Sequence, residues 1–443
     1  MKNKLLFLFT LILIGNLKTK AQAWSYLGTP EISVASPTSS QAKIFYDANG
    51  VLHVGYIKGL NIYILKFDNN TWSTVSHHVL NRTPNEVDYA IDSNGDIYFA
   101  YQANYSFQKM YRVKKFSGGN WSYMGDSIVS YNTTTVDLAI ANSEIYFMGN
   151  RNVHHWDNIN TVWQNIHSVP SGSQFAGGIL GVDNSQNLHI IHCSNILFTT
   201  NYYLMLEKYD GTSWTSIGDT IGVPNALYLH LMFNNSNEPI VGYLTSAGLT
   251  PNHNIIHYNG TSWQNIGNIA STPNATIFSV ALNSLGQPLF TSSNYGGKVY
   301  EFDGSSYEKL DSATVSGGIL QIMDLSVHPT TGKRYILFNE LNSSSTAAVL
   351  SVMEYDENAV GINDISSITE NNLIVYPNPA SKKITLQNQP NGSMIIIKDL
   401  SGKIILNSTL SGDVNIQALS SGVYFVQVSS KDGTMLTTKF IKQ

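Results

Sequence analysis

The residues able to do chemistry are scattered along this chain. His77-His78, His154-His155 and His189-x-x-His192 carry side chains that ligate metals. Strand residues three apart point to opposite faces, so His189 and His192 make a poor chelate. The lone cysteine, Cys193, has no disulfide partner and belongs to no CxxC pattern, and it reads as a small core residue. Gripping a ligand carboxylate needs converging arginines. The four present, Arg82, Arg112, Arg151 and Arg334, fall at unrelated places and are not expected to meet. Acids for two-carboxylate glycosidic cleavage are plentiful, but no pair stands out. Phosphate loops and dinucleotide fingerprints are absent from the sequence. The expectation is no cofactor, no metal centre and no assembled catalytic set.

Charge narrows the field further. Residues 24–370 carry 14 basic and 27 acidic residues, a net charge of −13. A protein that neutralises phosphates needs the opposite sign, so nucleic acid is excluded as a partner. Charged residues make up only 12% of the chain and aromatics 11%, a mix that suits strands joined by polar turns.

The N-terminus has the three parts of a secretory signal. Lys2 and Lys4 precede an apolar run from Leu5 to Ile14, and Ala21-Gln22-Ala23 supplies small residues for cleavage. The run is too short for a transmembrane anchor. Residues 1–23 therefore read as a signal peptide, and Trp24 as the first residue after the cut.

The elements that position the middle of the chain come from a repeat. Phe67-Asp-Asn-Asn-Thr-Trp72, Phe116-Ser-Gly-Gly-Asn-Trp121, Tyr209-Asp-Gly-Thr-Ser-Trp214, Tyr258-Asn-Gly-Thr-Ser-Trp263 and Phe302-Asp-Gly-Ser-Ser-Tyr307 share one pattern. Trp156 to Trp163 is the same unit with two residues inserted. The anchors at 72, 121, 163, 214, 263 and 307 stand 42 to 51 residues apart, the period of a four-stranded propeller blade. Each pattern reads as third strand, turn, fourth strand, with Gly taking the positive φ of a tight hairpin turn. A second hairpin precedes each one, with Asp47, Asp92 and Asp183 as turn formers rather than Ca²⁺ ligands. The last hairpin leads to Val352-Met-Glu-Tyr-Asp356, which lacks a Trp. Trp24-Ser-Tyr-Leu-Gly28 is a fourth strand without a blade. It is expected to pair near Tyr355 and close a ring of seven blades over residues 24–358. The anchors themselves are expected to pack as core between blades.

Residues 359–370 read as a linker, and residues 371–443 as a small Ig-like β-sandwich of short alternating strands. Tyr376-Pro-Asn-Pro379, Asp399-Leu-Ser-Gly-Lys403, Leu419-Ser-Ser-Gly-Val-Tyr-Phe-Val-Gln-Val428 and Lys439-Phe-Ile-Lys442 follow in order. Together they resemble the type A sorting domain of the Bacteroidetes type IX (Por) secretion system. The resemblance implies a route through the periplasm and across the outer membrane by the type IX machinery. It also implies release or surface attachment, and a sorting motif that includes Tyr376, Pro377, Asn378, Pro379, Gly422, Val423 and Tyr424. Asp126-Ser-Ile128, Asp219-Thr-Ile221 and Asp311-Ser-Ala313 resemble the O-glycosylation acceptor of the same phylum, which would place sugars on Ser127, Thr220 and Ser312.

The fold class expected is all-β: a seven-bladed β-propeller, then a sandwich. The function expected is binding of a glycan or protein ligand at the cell surface. A glycan-active hydrolase or lyase working at the channel and a structural surface component are the alternatives.

Overall fold

The structure is a computed structural model. It describes residues 24–105, 108–130, 135–149, 151–169, 178–195, 202–223, 226–247, 250–267, 269, 278–292, 298–310, 319–342, 344, 346–356, 373–387, 394–399, 403–408, 413–429 and 435–443. All regular elements among these are strands. The chain divides into two compact units, residues 22–359 and residues 360–443.

The larger unit has a propeller-like all-β fold, and its described residues form seven antiparallel sheets. In chain order they occupy residues 38–79, 84–130, 136–168, 178–223, 226–265, 278–309 and 319–355. Within the first six sheets hairpins link the strands in sequence order, except that Asn120–Tyr123 and Ile128–Ser130 both pair with Gln108–Ser117 in the second. The seventh sheet takes its outermost strand from the opposite end of the chain. Trp24–Tyr26 pairs with Ala348–Tyr355, placing Trp24 across from Tyr355 and Tyr26 across from Met353. This is the pairing that the orphan Trp motif calls for. The first strand of each sheet packs beside the first strands of its two neighbours, and the run returns to its start where Ile319–Val327 meets Thr38–Tyr46.

Apolar cores fill the spaces between neighbouring sheets. One holds Ile57, Ile64, Phe99 and Tyr101 from the first and second sheets; another holds Trp24, Leu289, Ile336 and Tyr355 from the sixth and seventh. The aromatic anchors stitch these layers. Trp72 Nε1 donates to Leu27 O at 2.7 Å, Trp121 Nε1 to Ser76 Oγ at 2.6 Å, Trp163 Nε1 to Met124 O at 2.8 Å and Trp214 Nε1 to Ile166 O at 3.2 Å. Each anchor thus reaches back to the sheet before its own. The glycine that follows several anchors is a seat for the next aromatic pair. Gly218 has φ +67°, and a Cβ there would lie 2.6 Å from the Tyr258 ring. Asp47, Asp92 and Asp183 act as turn formers, each accepting two backbone N–H bonds within its own hairpin.

The described residues of the smaller unit form two sheets. Ile374–Tyr376, Lys383–Gln387 and Asp413–Asn415 make one, and Met394–Lys398, Ile404–Ser408, Gly422–Ser429 and Met435–Lys442 make the other. They share one core that includes Ile384, Ile395, Ile397, Val426 and Phe440.

Candidate functional site

The first strands of the seven sheets surround a cavity of about 940 Å³. Asn234, Asn283 and His328 accept backbone N–H bonds in their turns as Asp47, Asp92 and Asp183 do. Four residues before these six stand the residues of one layer: Lys43, Asp88, Ile179, His230, Ser279 and Asp324, with Asp137 equivalent in the third sheet. The carboxylates of this layer reach to the next strand. Asp88 Oδ2 accepts from Leu138 N at 2.8 Å, Asp137 Oδ2 from Leu180 N at 2.5 Å and Asp324 Oδ2 from Ile44 N at 2.8 Å. Ser279 Oγ likewise accepts from Leu325 N, and also donates to Asp324 Oδ1 at 3.1 Å. Lys43 Nζ lies 2.5 Å from Asp88 Oδ1.

Electrostatics follow from that crowding. Burial pushes the Asp137 carboxyl well up, as does the neighbouring Asp88, with which it shares a hydrogen bond. Burial lifts Asp324 to about 6 against the bonds it accepts from Ile44, Ser279 and Leu325. Burial pulls the Lys43 ammonium down, but Asp88, Asp137 and Asp324 together outweigh it and leave Lys43 raised.

A second cluster lies where the third and fourth sheets meet. His167 Nε2 and His192 Nε2 sit 3.0 and 2.9 Å from the same oxygen, Oε2 of Glu207. Their three ligand atoms lie within 4.8 Å of one another, and this nitrogen–oxygen set suits a zinc-like ion. Among the described residues, these three could hold a metal. Hydrogen bonds from His167 and His192 hold the Glu207 carboxyl down at about 2. His189 faces away, toward Asp183 at 4.0 Å, in keeping with the opposite-face argument. Glu207 and His167 were not legible as partners, because they come from different sheets.

The third cluster covers one face of the second sheet. Arg112 lies 5.2 Å from the Tyr105 ring centre and 4.9 Å from that of Tyr123. Lys114 Nζ sits 3.9 Å above the Tyr123 ring, and Arg82 is 5.6 Å from Tyr105. The expectation that the arginines stay apart is corrected here: Arg82 and Arg112 meet at Tyr105. Repeat position decides which sheet layer a residue occupies. It does not prevent a loop residue and a third-strand residue from reaching the same end of one sheet.

The remaining candidates are placed as follows. Ala21, Ala23 and Ser312 lie outside the described residues. Trp24 is 3% exposed, in the core. Ser127 is half-buried and Thr220 exposed. Cys193 is buried, which pushes its thiol up to about 11 and leaves it unreactive. His77 and His78 take separate paths: His77 bonds Asn61, and His78 faces the Trp121 ring. His154 packs on Phe147, while His155 Nε2 sits 2.9 Å from Glu144. Arg334 pairs with Glu301 at 2.7 Å. In the smaller unit, Asn378 Oδ1 accepts from Ile441 N and Tyr424 OH donates to Ser420 O, both at 2.9 Å. Gly422, Val423 and Tyr424 pair with Lys442, Ile441 and Phe440. Tyr376, Pro377 and Pro379 are exposed beside them.

Residues 374–443 match the family model described as "Secretion system C-terminal sorting domain". That match identifies the smaller unit as a type IX sorting domain, which marks proteins secreted or attached to the cell surface. No helix of the described residues is long and apolar enough to cross a membrane. Among curated proteins, none matches the chain. Solved structures with a similar chain path include PorZ, a surface component of the type IX secretion system of Porphyromonas gingivalis. It is 13% identical, over 91% of this chain and 70% of its own, with a TM-score of 0.36. A fungal alcohol oxidase of the AA5 family is 11% identical, over 96% and 99%, at 0.48. The GH93 α-L-arabinofuranosidase of Fusarium graminearum is 10% identical, over 74% and 97%, at 0.44. Likeness at this level transfers no activity.

Proposed function

We propose that residues 24–358 form a seven-bladed β-propeller that binds a glycan or protein ligand outside the cell. Residues 371–443, an Ig-like sandwich on the linker 359–370, deliver it. On this reading residues 1–23 are removed as a signal peptide after Ala23, and Tyr376–Pro379 with Gly422, Val423 and Tyr424 are read by the secretion machinery. Ser127, Thr220 and Ser312 are proposed to carry O-linked sugars, a matter for mass spectrometry of the exported protein.

The observation that favours binding over turnover is the state of the channel carboxylates. Both oxygens of Asp88 and both of Asp324 are taken by protein donors. A general acid or base needs a free oxygen facing its substrate. The same bonding recurs from one first strand to the next, as a device that holds strands together would. The cyclic packing of seven sheets supports the blade count. A chain lacking residues 24–29 should unfold at a sharply lower temperature; an unchanged midpoint overturns ring closure. For function, residues 24–443 are to be screened on a glycan array and by protein capture. Absence of any bound ligand overturns the binding reading.

One observation favours the hydrolase reading: Asp137 lines the cavity, and burial and the neighbouring Asp88 push its carboxyl well up. Glycan cleavage by residues 24–443 that disappears in Asp137→Asn, with the fold retained, would establish that reading instead.

A further inference from the structure

The basic face of the second sheet stands apart in an acidic unit. Residues 97–125 contain Lys109, Arg112, Lys114 and Lys115 and no Asp or Glu. Lys115 points away from the face and pairs with Asp96 at 2.7 Å. Arg112 and Lys114, two residues apart on the strand Gln108–Ser117, point the same way. Neither is paired with a carboxylate among the described residues, and the Arg112 Nε is buried with no hydrogen-bond partner. Lys114 is only 4% exposed. Burial, and then the adjoining Arg112 charge, pull its ammonium below the ordinary value.

This arrangement is costly for the free protein. A buried cation is stabilised by an opposite charge, and truncated solvation is only partly offset by an aromatic face. Here two cations crowd together, with Arg82 close by, and the described residues place no carboxylate against them. Two other half-buried cations of the unit have carboxylate partners: Lys43 with Asp88, and Arg334 with Glu301. The geometry of the face also suits an incoming group. A guanidinium fork binds the oxygens of a carboxylate or sulfate in pairs, and the neighbouring ammonium adds a point charge. Tyr123 as a residue is 41% exposed at the same place, and its ring offers a surface on which the C–H face of a sugar can stack. The surrounding charge of −13 opposes a long polyanion, so the fit is to one acidic group and not to a densely charged strand.

We propose that Arg112 and Lys114, with Tyr105, Tyr123 and Arg82, bind a saccharide that bears one carboxylate or sulfate group. This rests on the binding reading above and names its ligand class. The anion takes the place of the missing counter-ion, and Tyr123 takes the sugar ring.

The test uses residues 24–443 and titration calorimetry with glucuronic acid, glucose 6-sulfate, glucose and inorganic sulfate. The expected result is binding of both acidic sugars, weaker binding of sulfate and none of glucose. In Lys114→Met and in Arg112→Gln the acidic sugars should bind at least about tenfold more weakly, the worth of one charge-assisted hydrogen bond. A second readout guards against misfolding: acidic sugar should raise the unfolding midpoint of the unaltered protein but not of either variant. Failure of both acidic sugars to bind, or binding that ignores both substitutions, overturns the proposal. Equal binding of inorganic sulfate and sugar sulfate overturns its saccharide part. Array hits confined to neutral glycans would overturn this proposal while upholding the binding reading, whereas an array and capture screen without hits overturns both.

Discussion

The channel layer and the basic face of the second sheet bury charge in opposite ways. In the channel both oxygens of Asp88 and of Asp324 have protein donors. Asp88 takes Lys43 and a backbone N–H, and Asp324 takes a serine and two backbone N–H groups. On the second sheet Arg112 and Lys114 face tyrosine rings and each other. The first pattern is what stability demands of buried polar groups. The second leaves stability unrealised, which is the usual mark of a surface kept for something outside the chain. The difference teaches where to look for the ligand: the charged groups around the cavity are bonded within the fold, and those on the face of the second sheet are left open to chemistry.

That contrast can be broken by substitution. Asp88→Ala removes the counter-ion of Lys43 and the acceptor of Leu138 N. It should cost about 3 kcal/mol in denaturant unfolding, the low end for a buried pair because 43% of the Lys43 side chain is exposed. A loss under about 1 kcal/mol would mean that the channel layer is not a clasp. Lys114→Met should do the reverse and stabilise the free protein by about 1 kcal/mol, since an unpaired cation gives way to an apolar side chain. Destabilisation there would mean that Lys114 is satisfied within the fold.

Two smaller effects sharpen the comparison. Asp324 titrates at about 6 in the fold, against about 4 in an unfolded chain. Between those values the folded state holds a proton that the unfolded state has lost. Stability from this group is therefore present below pH 4 and is lost as pH rises through 6. Buried His154, His189 and His253, lowered to about 4, act oppositely over the same range. The readout is thus the difference between the unaltered protein and Asp324→Asn, which should narrow steadily from pH 4 to pH 6; a constant difference would contradict the burial argument. Last, Trp121→Phe removes the bond to Ser76 at the same junction as the basic face. It should cost about 1 kcal/mol and leave acidic-sugar affinity unchanged. A large loss of affinity would tie the binding face to the blade junction beneath it.

Much of the architecture was legible because it is periodic. The spacing of Trp72, Trp121, Trp163, Trp214 and Trp263 marks the sheets, and Trp24 without its own hairpin marks the one completed from the other end. The layer of Lys43, Asp88, Asp137 and Asp324 was missed although it has a signal, a fixed offset of four from most turn formers. The acid-free stretch at 97–125 was a second signal that went unused. His167, His192 and Glu207 left none: they join two sheets through side chains with no common offset.

By itself the sequence determined the all-β class, the repeat, the strand that must come from the N-terminus and the route of export. Those properties are local or periodic, carried by turn chemistry, alternation and short motifs that need no partner to be recognised. Only the tertiary structure decided which charges are neutralised. Lys43 meets Asp88 across a sheet boundary, and Arg112 meets tyrosines and, among the described residues, no acid. Pairing of charge depends on distances of a few ångström between residues from different strands and sheets, and hydrophobic periodicity carries no information about that.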